Sequence, residues 1–211
     1  MWVKICGIRT PEAARAAAEA GADAVGFVFA PSRRQVAPEE ARRLGGHLPP
    51  GVARVGVFVD LPVAQVVAVA RAAGLTHVQL HGDEPPEVLE ALPLPVIKGV
   101  RLAGRDDLSR LLEYTRAWGI LVEPRVSGQA GGTGVALDRV LGREARDLLR
   151  RHGYTGKFIL AGGLDPDTVA EAVRAVGPDG VDVSSGVETG GQKDPDKIRA
   201  FVRSAREGTR P

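Results

Sequence analysis

Short runs dense in Val, Ile, Leu and Phe alternate along the chain with longer stretches whose apolar residues recur every three or four positions. The dense runs are Trp2–Cys6, Ala24–Phe29, Arg54–Val59, His77–Leu80, Val96–Val100, Gly119–Glu123, Lys157–Ala161 and Gly180–Val183, and they read as buried strands. The stretches between and after them predict one-faced helices over Pro11–Ala20, Pro38–Leu44, Pro62–Ala73, Pro85–Ala91, Arg105–Tyr114, Asp138–His152, Asp167–Val176 and Asp194–Ala205. Start signals support them: a capping residue stands just ahead of proline at Thr10-Pro11, Asp60 before Pro62, Asp165-Pro166 and Asp194-Pro195. Stop signals follow at Gly21, Gly45, Gly74, Gly153 and Gly177.

Strict alternation demands a parallel sheet, because each helix must return the chain to the same end. Eight units could stay open and doubly wound or close into a barrel. About 26 residues per unit suits short loops, and the first strand is followed by Cys6-Gly7-Ile8-Arg9-Thr10 rather than a glycine-rich dinucleotide turn. The expected fold is an α/β single-domain (β/α)8 TIM barrel over residues 1–211. One long irregular stretch, Pro124 to Val135, follows the sixth strand and is a candidate substrate lid.

Composition narrows the function classes. Apolar residues make up 44% and charged residues 26%, as in a water-soluble protein with a real core. A net charge of +2 leaves no footprint for nucleic acid. No apolar run is long enough for a membrane span, and the N-terminus enters a strand without a signal-like segment. One cysteine excludes a disulfide framework and fits a reducing cytoplasm. The absence of Asn and the preference for Arg over Lys fit a thermophile, although a high-GC genome produces the same bias.

In such a barrel the chemistry sits at the C-terminal ends of the strands. Those positions hold Cys6, Arg34, Asp60, Gln79, His81, Glu123, Gly162, Gly163, Asp182, Ser184, Ser185 and Gly186. No metal-ligand cluster and no Ser-His-Asp set is among them. Gly162-Gly163 and Ser184-Ser185-Gly186, at the last two strand ends, suit phosphate, since small residues let backbone N–H groups approach an anion and a following helix adds its dipole.

Lys4-Ile5-Cys6-Gly7-Ile8, Ala22 to Phe29, Val55 to Val59, Val78-Gln79-Leu80-His81-Gly82, Gly131-Gly132-Thr133-Gly134, Leu160 to Leu164 and Val181 to Glu188 together resemble the phosphoribosylanthranilate isomerase family, in order and over essentially the whole chain. The resemblance implies a tryptophan-biosynthesis step, the Amadori rearrangement of N-(5'-phosphoribosyl)anthranilate to 1-(2-carboxyphenylamino)-1-deoxyribulose 5-phosphate, with no cofactor and no metal. It is compatible with a monomer or a homodimer. An epimerase would instead want paired carboxylates or metal-binding histidines. Indole-glycerol-phosphate synthase would want Lys and Glu at other strand ends, and a phosphate-binding module without activity is the remaining alternative.

Carried onto this chain, the family's general base is Cys6, which removes the proton from sugar C2 after the ring opens to an iminium. Strand alternation puts Lys4 on the same face, where its charge would favour the thiolate. The family's general acid is an Asp at the end of the sixth strand, and Glu123 stands there instead, one methylene longer. Acting as an acid near neutral pH requires its pKa to be raised, for which burial under the lid is the expected cause. Arg34 corresponds to the arginine that grips the anthranilate carboxylate, with Arg33 as the alternative. Gln79 and His81 line the ribose side, or His81 instead caps a loop or packs on a helix. Asp182 either binds ribose or orients Cys6. After Gly134 the family pattern continues with residues that Val135-Ala136-Leu137-Asp138-Arg139 matches only at the Asp.

Overall fold

The computed structural model describes residues 1–125 and 136–209. The eight apolar runs form β1 (Trp2–Cys6), β2 (Ala24–Val28), β3 (Ala53–Phe58), β4 (His77–Leu80), β5 (Val96–Leu102), β6 (Gly119–Pro124), β7 (Lys157–Leu160) and β8 (Gly180–Val183). All pair in parallel with their sequence neighbours, and β8 closes on β1 through Lys4 opposite Asp182, so the sheet is a closed barrel. The closed alternative therefore holds.

Each strand has two buried faces. The outward residues, such as Val3, Ile5, Val25, Phe27, Phe58, Val78, Leu80 and Phe158, pack beneath the surrounding helices as the main core. The inward residues at the lower end, Ala24, Val55, Ile97, Leu121 and Ile159 with Trp2 and Trp118 below them, plug the barrel. Above that plug the inward positions turn polar or small on most strands, with Val28, Val57 and Val59 keeping one wall apolar.

The helices are α1 (Pro11–Glu19), α2 (Pro38–Gly45), α3 (Val63–Ala73), α4 (Val88–Ala91), α5 (Arg139–Arg151), α6 (Val169–Val176) and α7 (Pro195–Glu207). Thr10 caps α1 by accepting from the Ala13 N–H, Asp138 caps α5 through the Leu141 N–H, and Asp194 caps α7 through the Asp196 and Lys197 N–H groups. Gly74 and Gly177 end α3 and α6 in the left-handed conformation that glycine adopts without strain.

Three expectations about these elements are corrected. The fourth helix shrinks to one turn at Val88–Ala91, because Pro86 disfavours helical backbone at Pro85. The fifth, Arg105–Tyr114, is a 3₁₀ helix; Leu108, Leu111 and Tyr114 recur every third residue, which matches three residues per turn. Asp60 does not cap α3: it holds a left-handed φ of 50°, and its carboxylate accepts from the Asp83 N–H at 2.7 Å. The chain also forms a small hairpin, β9 (Glu188–Thr189) and β10 (Gln192–Lys193), which the hydrophobic pattern did not announce. Gly190 and Gly191, both at positive φ, make its two-residue turn. Among the described residues, no helix is long and apolar enough to cross a membrane.

Candidate active site

The upper inward positions converge on a cavity of about 410 Å³ at the C-terminal mouth of the barrel. Cys6, Arg34, Gln79, His81, Glu123, Gly162, Gly163, Asp182, Ser184 and Ser185 all line it. Gly186 does not. A side chain there would come within 1.9 Å of the Leu164 carbonyl oxygen, so Gly186 lets the loop after β8 pack on the loop after β7.

Cys6 ends β1, buried and with a free thiol. Two residues earlier, Lys4 is completely buried inside the barrel and donates to Asp182 Oδ1 at 2.8 Å. Burial pushes the Cys6 thiol up, as does Asp182, while Lys4 and Lys193 pull it down; the net direction is upward. Lys4 therefore favours the thiolate, as its strand position suggested, without overcoming burial. Burial also opposes the charge on Lys4, yet Asp182 and Cys6 carry its pKa above the ordinary value. Room for this group comes from β2, where a Cβ at Gly26 would lie 2.8 Å from Cys6 Sγ and 3.1 Å from Lys4 Cε.

Glu123 reaches inward from β6 and is buried, with its Oε1 2.8 Å from His81 Nε2. His81 Nδ1 in turn lies 3.0 Å from Gln79 Nε2. His81 thus neither caps a loop with its ring nor packs on a helix; it joins Gln79 to Glu123 across the cavity wall. Burial raises the Glu123 carboxyl, but the hydrogen bond and charge of His81, with Arg101 and Lys4 behind them, bring it below the usual range. The expected raised pKa is thereby corrected: the His81 contact and the charges of Arg101 and Lys4 outweigh desolvation. The lid, and with it Gly131 to Gly134, lies almost wholly in 126–135, outside the described residues.

Arg34 forms a two-pronged pair with Glu188, Nε to Oε1 at 2.7 Å and a terminal nitrogen to Oε2 at 2.9 Å. Arg33 also reaches Glu188, but its side chain is 58% exposed against 12% for Arg34, and it does not line the cavity. Position therefore favours Arg34. Gly7, at φ 80°, makes space for it, since a Cβ there would lie 2.6 Å from Arg34 Cδ. Burial opposes ionisation of Glu188, yet Arg34 and Lys193 push its pKa down to about 2. Lys193 also donates to the Ser184 carbonyl oxygen at 2.7 Å. Glu188 and Lys193 carried no role in the sequence reading. The Thr189-Gly190-Gly191-Gln192 turn was the signal that could have placed them side by side.

At the last two strand ends, Gly162 and Gly163 take φ of 87° and 60°, and the Ser184 hydroxyl donates to the Cys6 carbonyl oxygen at 3.1 Å. Because α6 begins only at Val169, the glycine pair lies well ahead of its first turn. The helix-dipole contribution expected there is corrected accordingly. Among the described residues, no group of three or more His, Cys, Asp or Glu side chains is arranged to hold a metal ion.

A sequence model described as N-(5'-phosphoribosyl)anthranilate (PRA) isomerase matches residues 3–204. The chain belongs to this family. An N-(5'-phosphoribosyl)anthranilate isomerase of Symbiobacterium thermophilum is 53% identical over 98% of both chains. The crystal structure of phosphoribosyl anthranilate isomerase from Thermotoga maritima superposes with a TM-score of 0.88 at 41% identity, covering 98% of each chain. Another crystal structure of phosphoribosyl anthranilate isomerase, in complex with reduced 1-(o-carboxyphenylamino)-1-deoxyribulose 5-phosphate, gives 0.84 at 40% identity, again over 98% of each chain.

Proposed function

We propose that this barrel isomerises N-(5'-phosphoribosyl)anthranilate with Cys6 as the base and Glu123 as the acid. The observation that carries the assignment is that both groups wall one cavity from different strands, with Arg34 and two small-residue loops around it. Glu123 gives a proton to the furanose ring oxygen, and the ring opens to an iminium. Cys6 then removes the C2 proton, and the resulting enolamine ketonises.

Arg34 holds the anthranilate carboxylate, a task for which a planar guanidinium is shaped and which its existing pairing with Glu188 mimics. Phosphate lies against Gly162, Gly163, Ser184 and Ser185, whose backbone N–H groups an anion can approach closely. Asp182 acts through Lys4, holding that cation beneath the thiol. The enzyme works in the cytoplasm, where a lone thiol stays reduced. The Asn-free, arginine-rich composition suits a thermophilic source.

Loss of fluorescence from freshly prepared phosphoribosylanthranilate tests the assignment. Cys6→Ser should lose at least ~100-fold in kcat while retaining affinity for a phosphorylated product analogue. Wild-type protein that is folded yet shows no turnover would remove the isomerase reading. A fully active Cys6→Ser would remove only the base.

A further inference from the structure

Among the described residues, Gln79 Oε1 is the one buried side-chain nitrogen or oxygen without a hydrogen-bond partner. The other end of the same amide, Nε2, faces His81 Nδ1 at 3.0 Å. Half a turn of the amide exchanges an N–H···Nδ1 bond for an Nδ1–H···Oε1 bond and leaves one end unpartnered either way. Nothing but the proton on His81 therefore chooses between the two orientations.

The choice has a consequence one bond further on. With Nε2 toward the ring, Nδ1 must be bare, and the single ring proton sits on His81 Nε2, donated to a Glu123 carboxylate. The pair then holds one proton and has none to give. With Oε1 toward the ring, Nδ1 carries a proton, and the 2.8 Å bridge to Glu123 holds a second one. That second proton is the one an acid can transfer, and it belongs to the pair rather than to either residue.

We propose that Gln79 is a positioning residue that sets the proton load of the His81–Glu123 pair, and that its Oε1-inward orientation is the one that arms Glu123. This rests on the reading of Glu123 as the acid. The surroundings make such a device necessary. Facing Glu123 are His81 from β4, Arg101 from β5 and Lys4 from β1, all favouring the bare carboxylate. Asp182 is paired with Lys4, and the segment after β7 contributes only the uncharged Ala161, Gly162, Gly163 and Leu164 to the cavity. An acceptor on the far side of His81 raises the ring's affinity for a proton, and so that of the pair, against the charges of Arg101 and Lys4. The ring is held for the purpose: a Cβ at Gly99 would lie 2.3 Å from His81 Nδ1, and Arg101 donates to the His81 carbonyl oxygen at 3.1 Å.

The chain contains four histidines, so its ¹⁵N-histidine spectra can be read site by site, with His81→Gln identifying the resonance. Wild-type protein should show His81 Nδ1 protonated throughout the pH range in which the enzyme turns over. Gln79→Glu, which as a carboxylate can only accept, should extend that state upward by about one pH unit or more and move the descending limb of kcat with it. Gln79→Met should move both the other way.

An Nδ1 that is bare at pH values where the enzyme is active would overturn the proposal. So would two variants that leave both the tautomer and the descending limb in place. The wild-type spectrum decides the matter even if a variant fails to fold. Unchanged turnover in Glu123→Gln would instead remove the acid assignment, an outcome separate from the tautomer measurement.

Discussion

Gly26→Ala tests whether the base works from a fixed point. Gly26 sits on β2 opposite Cys6, and its missing side chain is what admits the thiol. A methyl group there would stand 2.8 Å from Cys6 Sγ, where ordinary contact begins at 3.4 Å, and 3.1 Å from both Cys6 Cα and Lys4 Cε. Backbone of a closed barrel moves little, so the sulfur must yield by about 0.6 Å or more, or leave its rotamer. Overpacking of this kind costs about 1–3 kcal/mol of stability. A displacement approaching 1 Å at a reacting atom costs roughly 100-fold in rate. Arg34 and the phosphate loops lie elsewhere on the rim, so KM should change by less than about threefold while kcat falls, the mark of an interaction made only in the transition state. Steady-state kinetics on freshly made substrate, with a melting curve on the same preparation, separates the two effects. A stable Gly26→Ala protein with kcat within about threefold of wild type would refute the claim that thiol placement limits the reaction.

Two further outcomes follow from the charge layout. Glu188 has a folded pKa near 2 against an ordinary 4.5, so its contribution is complete above about pH 4.5 and is lost as pH falls toward 2. Acid titration of stability should show up to about 3 kcal/mol disappearing over that window in wild type and not in Glu188→Gln; identical acid curves would show that its ion pairs contribute nothing. Lys4→Met should raise the Cys6 thiol further, shifting the ascending limb of kcat/KM to higher pH, since in the proposed mechanism the thiolate is the active form. It should also cost about 3–5 kcal/mol by stranding Asp182. An unmoved limb would remove Lys4 from the activation of Cys6.

The barrel was legible because its signal is repeated eight times, and each repeat constrains the next through handedness and helix return. The candidate site was legible wherever strand position alone fixes a residue at the rim, as for Cys6, Arg34, Glu123 and the paired small residues. What escaped was everything set by side-chain contact from one strand or loop to another. Gly26 and Gly99 read as ordinary strand glycines until the register lays them against Cys6 and His81. Glu188 and Lys193 are brought to Arg34 by a six-residue hairpin too short to show any period. The sign of the Glu123 shift escaped for a related reason. Burial is readable from an apolar run, but the cations arriving from β1 and β5, and the histidine just after β4, are not.

That last difference bears on how the barrel tolerates its own chemistry. Buried charge is costly unless it is paired, and pairing one charge with another freezes both. Inside this barrel Lys4 is matched with Asp182 and Glu123 with His81, while Glu188, Arg34 and Lys193 form a third group at the rim. On the proposed assignment, each match satisfies one member that is needed for the reaction by a second that is not consumed in it. The lower plug of Trp2, Ile97, Leu121 and Ile159 carries no charge and can be packed for stability alone. The division explains why the reactive groups sit only in the upper layers. There, a pairing partner can be supplied from a neighbouring strand and the cavity still opens to substrate. One layer lower, the same thiol or carboxylate would be buried without a route to substrate, and neutralised.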